Sequence, residues 1–394
     1  MENNFKMLAK TFFGMEKLLA KELKKLGATQ IFEGNRLVHF TGDKGFMYKA
    51  NLCLRTAIKI LKPIFEFRAE NESVLYEKLY EFDWCGILSA DQTFAIDSVV
   101  HGKVFNHSLY VTQRCKDAIV DRFRKYNGKR PSVDTQYPDI RLHLHIFDQK
   151  CSLSLDSSGQ SLHHRGYRSL TNIAPINEVL AAGIIMLSDW DQRTDFLDPM
   201  CGSGTFLIEA AMMACKIPAN LNRNFFAFEK WKDWDETLFD KIKYSKLNNV
   251  VSPEGRVYGF DKAPSAIEKT NNNIKNAGLE DFIKVNRADF FKSQKMGDTP
   301  LHLLTNPPYG ERIEGDINSL YKNFGDTLKR TYPNTQAWII SSNFEALKFF
   351  GLRPRRKIKL FNGKLETRLC NFPIYEGTKK IHKLRNINPK PSQN

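Results

Sequence analysis

The sequence predicts an α/β protein in two parts: a small split βαβ unit followed by a second α/β unit, then a mostly parallel sheet covered by helices on both faces. Three observations predict it. The first 67 residues read strand, helix, strand, strand, helix, strand. Beyond about residue 171, apolar strands alternate with helices, as a parallel sheet requires. Within that stretch "DPMCGSGT", residues 198–205, joins an apolar strand to an apolar helix through a Gly-rich turn. A chain of 394 residues is also too long for one ordinary core, so two or three domains are expected.

The first unit, residues 1–67, opens with the strand "FKMLAKTF" and the helix "MEKLLAKELKKLG". Leu18, Leu19, Leu23 and Leu26 share one face of that helix, lysines surround them, and Gly27 stands where a C-cap belongs. Two strands around Asn35, a helix "DKGFMYKANL" and a strand "TAIKILKPIFEF" complete a ferredoxin-like order. Residues 68–157 form the second unit. It has a helix "SVLYEKLYEF", a strand "TFAIDSVV", a long amphipathic helix from Asn106 to Tyr126, and a closing hairpin. In the hairpin Leu142, Leu144 and Ile146 alternate with Arg141, His143 and His145, so one face is buried and the other polar. The long helix carries Arg114, Lys116, Arg122, Arg124 and Lys125, and "YNGKRP" continues the positive charge through Lys129 to Arg130. Such a stripe is commonly a solvated face; its run into a basic loop favours nucleic-acid contact. Residues 158–171, rich in Ser, Gly and basic side chains including Arg165 and Arg168, read as a linker.

Residues 172–380 form the parallel-sheet domain, beginning with a helix whose first turn holds Pro175. Its last strands flank Asn362-Gly363, a strong hairpin turn. Residues 381–394 read as a basic, frayed tail.

Composition limits the function classes. With 42% hydrophobic and 12% aromatic residues the chain folds into globular cores. A formal net charge of +15 suits a polyanionic partner, because Lys and Arg release counterions from phosphates; it also suits simple solubility. Seven cysteines show no CxxC pair and no regular spacing, which argues against a zinc knuckle or disulfide framework and suits a reducing cytoplasm. His143 with His145, and His163 with His164, lack ligand companions, so no metal is expected. The start has no long apolar run and no 18 consecutive apolar residues occur, so neither signal peptide nor membrane partner is expected.

The chemistry gathers at strand ends. Gly202 and Gly204 let the backbone turn with positive φ and approach a ligand closely. No Gly-Lys-Ser or Gly-Lys-Thr follows, which excludes the Walker pattern, and Leu207 takes the place of a third dinucleotide glycine, so pyrophosphate binding is disfavoured. Asp198, facing the same turn, suits a cation such as the α-ammonium or sulfonium of S-adenosylmethionine. Asp261 ends the next strand, where it can accept from both ribose hydroxyls. Asp289 ends another, where it can accept from an adenine amino group with Phe290 packing on the ring. Each acid taken singly also suits an N-cap or a solvated turn; three in a row at one sheet edge are hard to produce by chance. The following strand stops at "TNPPYG", residues 305–310, because neither Pro307 nor Pro308 can donate to a ladder. A purine amino group is a poor nucleophile until its two hydrogens are accepted. The Asn306 side chain and the Pro307 carbonyl can be those acceptors, with Tyr309 stacking on an extruded base.

"DPMCGSGT" with "TNPPYGER" resembles the class I methyltransferases that modify exocyclic amino groups. The whole order, with "LHHRGYR" as a joint, resembles the bacterial THUMP-containing guanine-N2 methyltransferases of 23S ribosomal RNA, a group also described as N6-adenine-specific DNA methylase-like. The resemblance spans nearly the full length. It implies a ferredoxin-like plus THUMP-like N-terminal region, the latter RNA-binding, and a Rossmann-like class I methyltransferase with a mostly parallel seven-stranded sheet. It implies S-adenosylmethionine as cofactor at Asp198, Pro199, Met200, Gly202, Gly204, Thr205, Asp261, Asp289 and Asn306, with catalysis at Asn306, Pro307, Pro308 and Tyr309. RNA contacts are expected at Arg114, Arg122, Lys125, Lys129, Arg130, Arg165 and Arg168, with 23S ribosomal RNA as partner and the cytoplasm as location. About 60 residues separate Asp198 from Asp261, where a minimal unit has about 20. They hold an aromatic insertion, Phe225, Phe226, Phe228, Trp231 and Trp234, expected to cover a sheet face rather than stack on bases. Relatives that carry a second methyltransferase domain are longer than this sequence. An adenine-N6 DNA methylase shares the Asn-Pro-Pro-Tyr loop, and only the N-terminal half argues against it. A non-catalytic RNA-binding assembly factor is disfavoured by the intact motif residues.

Overall fold

The computed structural model describes residues 4–168, 176–308 and 316–375. The chain forms two compact units. One comprises Met1–Leu170, Asn177–Gly183 and Cys215–Val251; the other comprises Thr171–Ile176, Ile184–Ala214 and Ser252–Asn394.

The first unit runs β1 (Phe5–Lys10), α1 (Glu16–Leu26), β2 (Thr29–Gly34), β3 (Leu37–Gly42), α2 (Lys44–Cys53) and β4 (Lys59–Arg68). It continues with α3 (Glu72–Glu81), β5 (Thr93–His101), α4 (Ser108–Asn127), β6 (Ser132–Val133), β7 (Ile140–Phe147) and β8 (Lys150–Asp156). Helix α1 forms on the expected apolar face, with Leu19 and Leu23 fully buried. It ends at Gly27, whose φ of +104° lets its N–H return to Leu23 O. The eight strands make one sheet in the order β2-β3-β1-β4-β8-β7-β5-β6. The joint is β4, ten residues long, which pairs β1 at one end and β8 along Leu61 to Arg68. The ferredoxin-like and following units therefore share one continuous sheet across residue 67. The polar face of the closing hairpin is largely covered: His143 is 5% exposed and its Nε2 lies 3.1 Å from Lys10 Nζ, while Lys59 pairs with Asp156 and Asp97.

The segment expected to be a linker is packed up to Arg168. Ser157, Ser158 and Arg165 are buried, and the Arg223 guanidinium donates to the carbonyls of Ser158, Gln160, Ser161 and His164. The aromatic insertion packs in the same unit. Phe226, Phe228 and Trp231 are buried, and Phe228 and Trp234 lie 4.5 and 5.1 Å from the Tyr48 ring on α2. This cluster belongs to the core of the first unit, which agrees with a covering role and leaves Phe226 and Phe228 no surface for a base.

Helix α5 (Glu178–Leu187) is capped by Asn177, whose side chain accepts from the N–H groups of Val179 and Leu180. Pro175, expected in its first turn, lies outside the described residues, as do Tyr309 and the tail 381–394. In the second unit β9 (Asp195–Asp198) leads to α6 (Thr205–Ala214). After the insertion, with its α7 (Glu236–Leu247), come β10 (Val257–Asp261), α8 (Pro264–Ala277), β11 (Ile283–Arg287) and β12 (Leu301–Thr305). The unit closes with α9 (Ile317–Thr331), β13 (Thr335–Ser341), β14 (Arg356–Asn362) and β15 (Leu365–Ile374). The sheet order is β11-β10-β9-β12-β13-β15-β14, and β15 runs opposite to the other six strands. Strand β9 has β10 on one side and β12 on the other, so the chain reverses its winding there. A crevice opens at the carboxyl end of such a switch point. Among the described residues no helix is long and apolar enough to cross a membrane.

Candidate active site

Strand β9 is buried along its whole length, "DFLD", and delivers Asp198 to the switch point with its side chain 2% exposed. Thr305 Oγ1 donates to Asp198 Oδ1 at 2.7 Å and the Met200 N–H donates to the same oxygen at 3.2 Å. No described group donates to the second oxygen. Burial pushes the carboxyl up to about 7; the two hydrogen bonds work against that rise and the neighbouring Asp261 charge adds to it. A carboxyl held this way lacks a countercharge.

The turn after β9 is tied down from the neighbouring strand and helix. The Cys201 N–H reaches Phe260 O at 3.1 Å, and the Gly202 N–H reaches Asp261 Oδ2 at 3.1 Å. From α8, Thr270 Oγ1 donates to Gly202 O at 2.8 Å and Asn273 Nδ2 to Ser203 O at 2.9 Å. Gly204 has φ +78°, and a Cβ there would meet Thr270 Cγ2 at 2.7 Å, so close packing on α8 demands glycine. Gly202 differs: φ is +56°, and a Cβ would meet nothing within 4 Å. Its backbone faces open space, as a ligand cradle does. Pro199 is buried, Met200 is partly exposed, and Thr205, 3% exposed, opens α6.

Asp261 ends β10 with one oxygen on the Gly202 N–H and the other on the Ala263 N–H at 2.9 Å. Asp289 follows β11, is partly exposed, and caps a one-turn 3-10 helix by accepting from the Phe291 N–H at 3.0 Å. Phe290 is a correction to the sequence reading: it is 2% exposed, with its ring 4.4 Å from Phe324 and 5.3 Å from Tyr332. The tight turn after Asp289 rotates successive side chains by a third of a circle, and Phe290 falls on the core side. It cannot stack on a ligand. Beyond β12, Asn306 is half-buried, Pro307 buried and Pro308 exposed.

Strands β11, β10, β9 and β12 are consecutive and parallel, so Asp289, Asp261, Asp198 and Asn306 line one sheet edge at strand spacings of about 4.8 Å. Sequence reasoning missed Thr305, Thr270 and Asn273. Thr305 was visible as a polar residue closing an apolar strand; Thr270 and Asn273 stand three apart on α8, which puts them on one helix face.

The basic residues of the first unit divide. Arg114 lies 4.4 Å over the Tyr76 ring and Arg122 3.8 Å over Tyr126, while Lys125 stands 5.8 Å from Tyr80. Lys129 and Arg130 are exposed. Arg165, expected to contact RNA, is instead 1% exposed and donates to Leu162 O, Asn220 Oδ1 and Arg55 O. A guanidinium committed to three interior acceptors does not reach a surface ligand. Arg168 is engaged by Glu178 at 2.7 Å.

Strand order, the glycine turn and the row of strand-end polar groups define the class: a Rossmann-like fold of the class I methyltransferase type joined to an N-terminal α/β region. The chain belongs to the RMKL-like methyltransferase family, whose methyltransferase domain matches residues 165–371. A THUMP domain matches residues 69–156 and an RlmL ferredoxin-like domain residues 6–61. Among curated relatives, the ribosomal RNA large subunit methyltransferase K/L of Syntrophotalea carbinolica is 37% identical over 390 residues, covering 95% of this chain and 54% of that protein. The chain thus spans about half the length of the curated relatives it matches. Among solved structures, SMU.472, described as a methyltransferase complexed with SAH, is 30% identical with a TM-score of 0.84, covering 96% of this chain and 100% of that one. A predicted N6-adenine-specific DNA methylase from Listeria monocytogenes is 27% identical with a TM-score of 0.83, covering 95% of this chain and 97% of that one.

Proposed function

We propose that the protein is an S-adenosylmethionine-dependent RNA methyltransferase that methylates the exocyclic amine of an extruded base, guanine N2 of 23S ribosomal RNA, in the cytoplasm. The observation that carries it is the row of Asp289, Asp261, Asp198 and Asn306 along one sheet edge, with a buried, uncompensated carboxyl at its centre. The residues fit the cofactor. Asp198 would offer its unused oxygen to the α-ammonium group, Asp261 would accept from the ribose hydroxyls and Asp289 from the adenine amino group, and the bare backbone at Gly202 would admit close approach. The SAH held by SMU.472, and the name of the K/L relatives, support the same reading.

When bound, the cofactor supplies a sulfonium-bound methyl group, which passes to the amine nitrogen while sulfur keeps the bonding electron pair. The chain's own part is positioning. Asn306 Oδ1 and the Pro307 carbonyl accept the two amine hydrogens, which draws the nitrogen lone pair out of conjugation with the ring. Pro307 and Pro308 hold these acceptors in fixed geometry, and the motif assigns base stacking to Tyr309, which lies outside the described residues. A methylated amine carries an acidic proton that water removes, so no strong base is required. The aromatic-backed cations Arg114, Arg122 and Lys125, with exposed Lys129 and Arg130, serve RNA contact in the THUMP domain.

The test incubates the protein with labelled S-adenosylmethionine and, in separate reactions, total RNA and DNA, then digests and identifies the labelled nucleoside. N2-methylguanine from RNA is expected; N6-methyladenine from DNA overturns the reading. Asn306→Ala is expected to lower kcat by about a hundredfold or more while cofactor affinity stays nearly unchanged. Equal loss of both would assign Asn306 to cofactor binding instead.

A further inference from the structure

Strand β14 is the outer strand of the seven-stranded sheet and runs parallel to β13, with β15 returning between them. On β15, Arg368 is the last residue paired with β13, opposite Ser341, and Thr367, Glu366 and Leu365 continue beyond it. Three residues add about 10 Å, so the turn between Asn362 and Leu365 stands out past the carboxyl ends of the parallel strands. Strand β12 pairs Thr305 with Ile339, which brings Asn306 and Pro307 level with Ile340 and Ser341. Arg368 is then two strands away from the Asn306 loop, roughly 10 Å at ordinary strand spacing.

Residues 353–368 hold seven Lys or Arg and one acid, Glu366. Cations on an outer strand guard against edge-to-edge pairing, and that accounts for Arg355, Arg356 and Lys357 at the far end, where Arg356, 5.3 Å from the Trp338 ring centroid, is also held by Asp189. It does not account for aromatic partners at the near end. The Arg368 guanidinium lies 4.1 Å from the Phe344 ring centroid, and Lys359, which also pairs with Glu366 at 2.7 Å, lies 5.3 Å from Phe361. Phe344, in the loop after β13, is half-buried, and Lys364 at the turn is exposed. A cation laid on a ring beside exposed positive charge matches what a single-stranded nucleic acid requires: a stacking face for a base and a counterion for its phosphate.

We propose that the tip of the β14–β15 hairpin, with Phe344, is a substrate-positioning platform for single-stranded RNA beside the extruded base. The neighbouring base stacks on the Phe344–Arg368 pair and its phosphate lies against Lys364. This rests on the proposed RNA methylation and adds where the substrate strand is held next to the reacting base.

The experiment uses the full chain and the variants Phe344→Leu, Arg368→Gln, Arg368→Lys and Lys364→Gln. It measures affinity for a fluorescent single-stranded RNA at several salt concentrations, KM and kcat for methylation of total ribosomal RNA, and the Kd for S-adenosylmethionine. Phe344→Leu and Arg368→Gln are expected to weaken RNA binding and raise KM about tenfold, the loss of one stacked base, with cofactor Kd unchanged. Arg368→Lys is expected to keep the salt dependence and recover only part of the affinity. Lys364→Gln is expected to lower the salt slope by about 1. RNA affinities and KM values within about twofold of the unchanged protein for all four variants overturn the platform. If Arg368→Gln loses cofactor binding through misfolding, Phe344→Leu and the exposed Lys364→Gln decide alone. If the unchanged protein transfers no methyl group to RNA, the proposed function falls, and the RNA-binding arm still decides the platform.

Discussion

Asp198 concentrates the electrostatic strain of the site. Its carboxyl sits at about 7 in the folded protein against 3.8 for the free group, chiefly through burial. The folded state therefore holds a proton that the unfolded chain releases. Stability contributed by this group is present at low pH, falls as pH rises from about 4 to about 7, and is level above that, a loss of about 4 kcal/mol. Asp198→Asn removes the buried charge and is expected to raise the melting midpoint of the cofactor-free protein by several degrees at pH 8, with cofactor binding lost. A lower midpoint at pH 8 would show that the charge is not under strain. A cationic ligand group favours the ionised form, so cofactor affinity is expected to fall up to about tenfold per unit below pH 7 and to be flat above it. Calorimetric titration between pH 5.5 and 8.5 reads this directly; a flat profile would remove Asp198 as the ammonium partner.

At the scale of elements, the site depends on a turn that two neighbours immobilise. Gly204 touches α8, and Gly204→Ala sets a Cβ against Thr270 at a positive φ. A cost of about 1–3 kcal/mol in stability and a marked loss of cofactor affinity are expected from calorimetry. Gly202→Ala meets no such wall, and its cost is expected mainly in cofactor binding. The aromatic insertion works differently. Phe228 is fully buried between Tyr48, Phe226, Trp234 and Phe239, and Phe228→Ala is expected to cost about 3–5 kcal/mol in thermal or denaturant unfolding. An insertion in the methyltransferase segment of the sequence thus serves as core of the other unit, which explains why it is so aromatic without being a base-stacking surface.

For the whole molecule, the order of elements was legible in the sequence to a degree that traces to local physics. Period-2 and period-3.6 apolar patterns, Gly27 as a helix stop and Asn362-Gly363 as a hairpin turn each act within a few residues. The strand-end positions of Asp198, Asp261, Asp289 and Asn306 were legible for the same reason, since each directly ends or follows a strand, and parallel strands bring such ends to one edge. Arg165 and Phe290 were misread because nothing local distinguishes a basic joint residue that lies on the surface from one that caps interior carbonyls, or a ring that faces a crevice from one that faces a core. The sequence by itself determined the elements, their type and the chemistry available at their ends, because those depend on neighbours in the chain. Only the tertiary structure decided that β4 and β8 fuse two units into one sheet, that Thr305 holds Asp198 while the α8 side chains brace the glycine turn, and that the β14–β15 turn projects past the carboxyl edge of the parallel strands. Those facts arise from pairing and burial between residues dozens to more than a hundred positions apart, which no local pattern encodes.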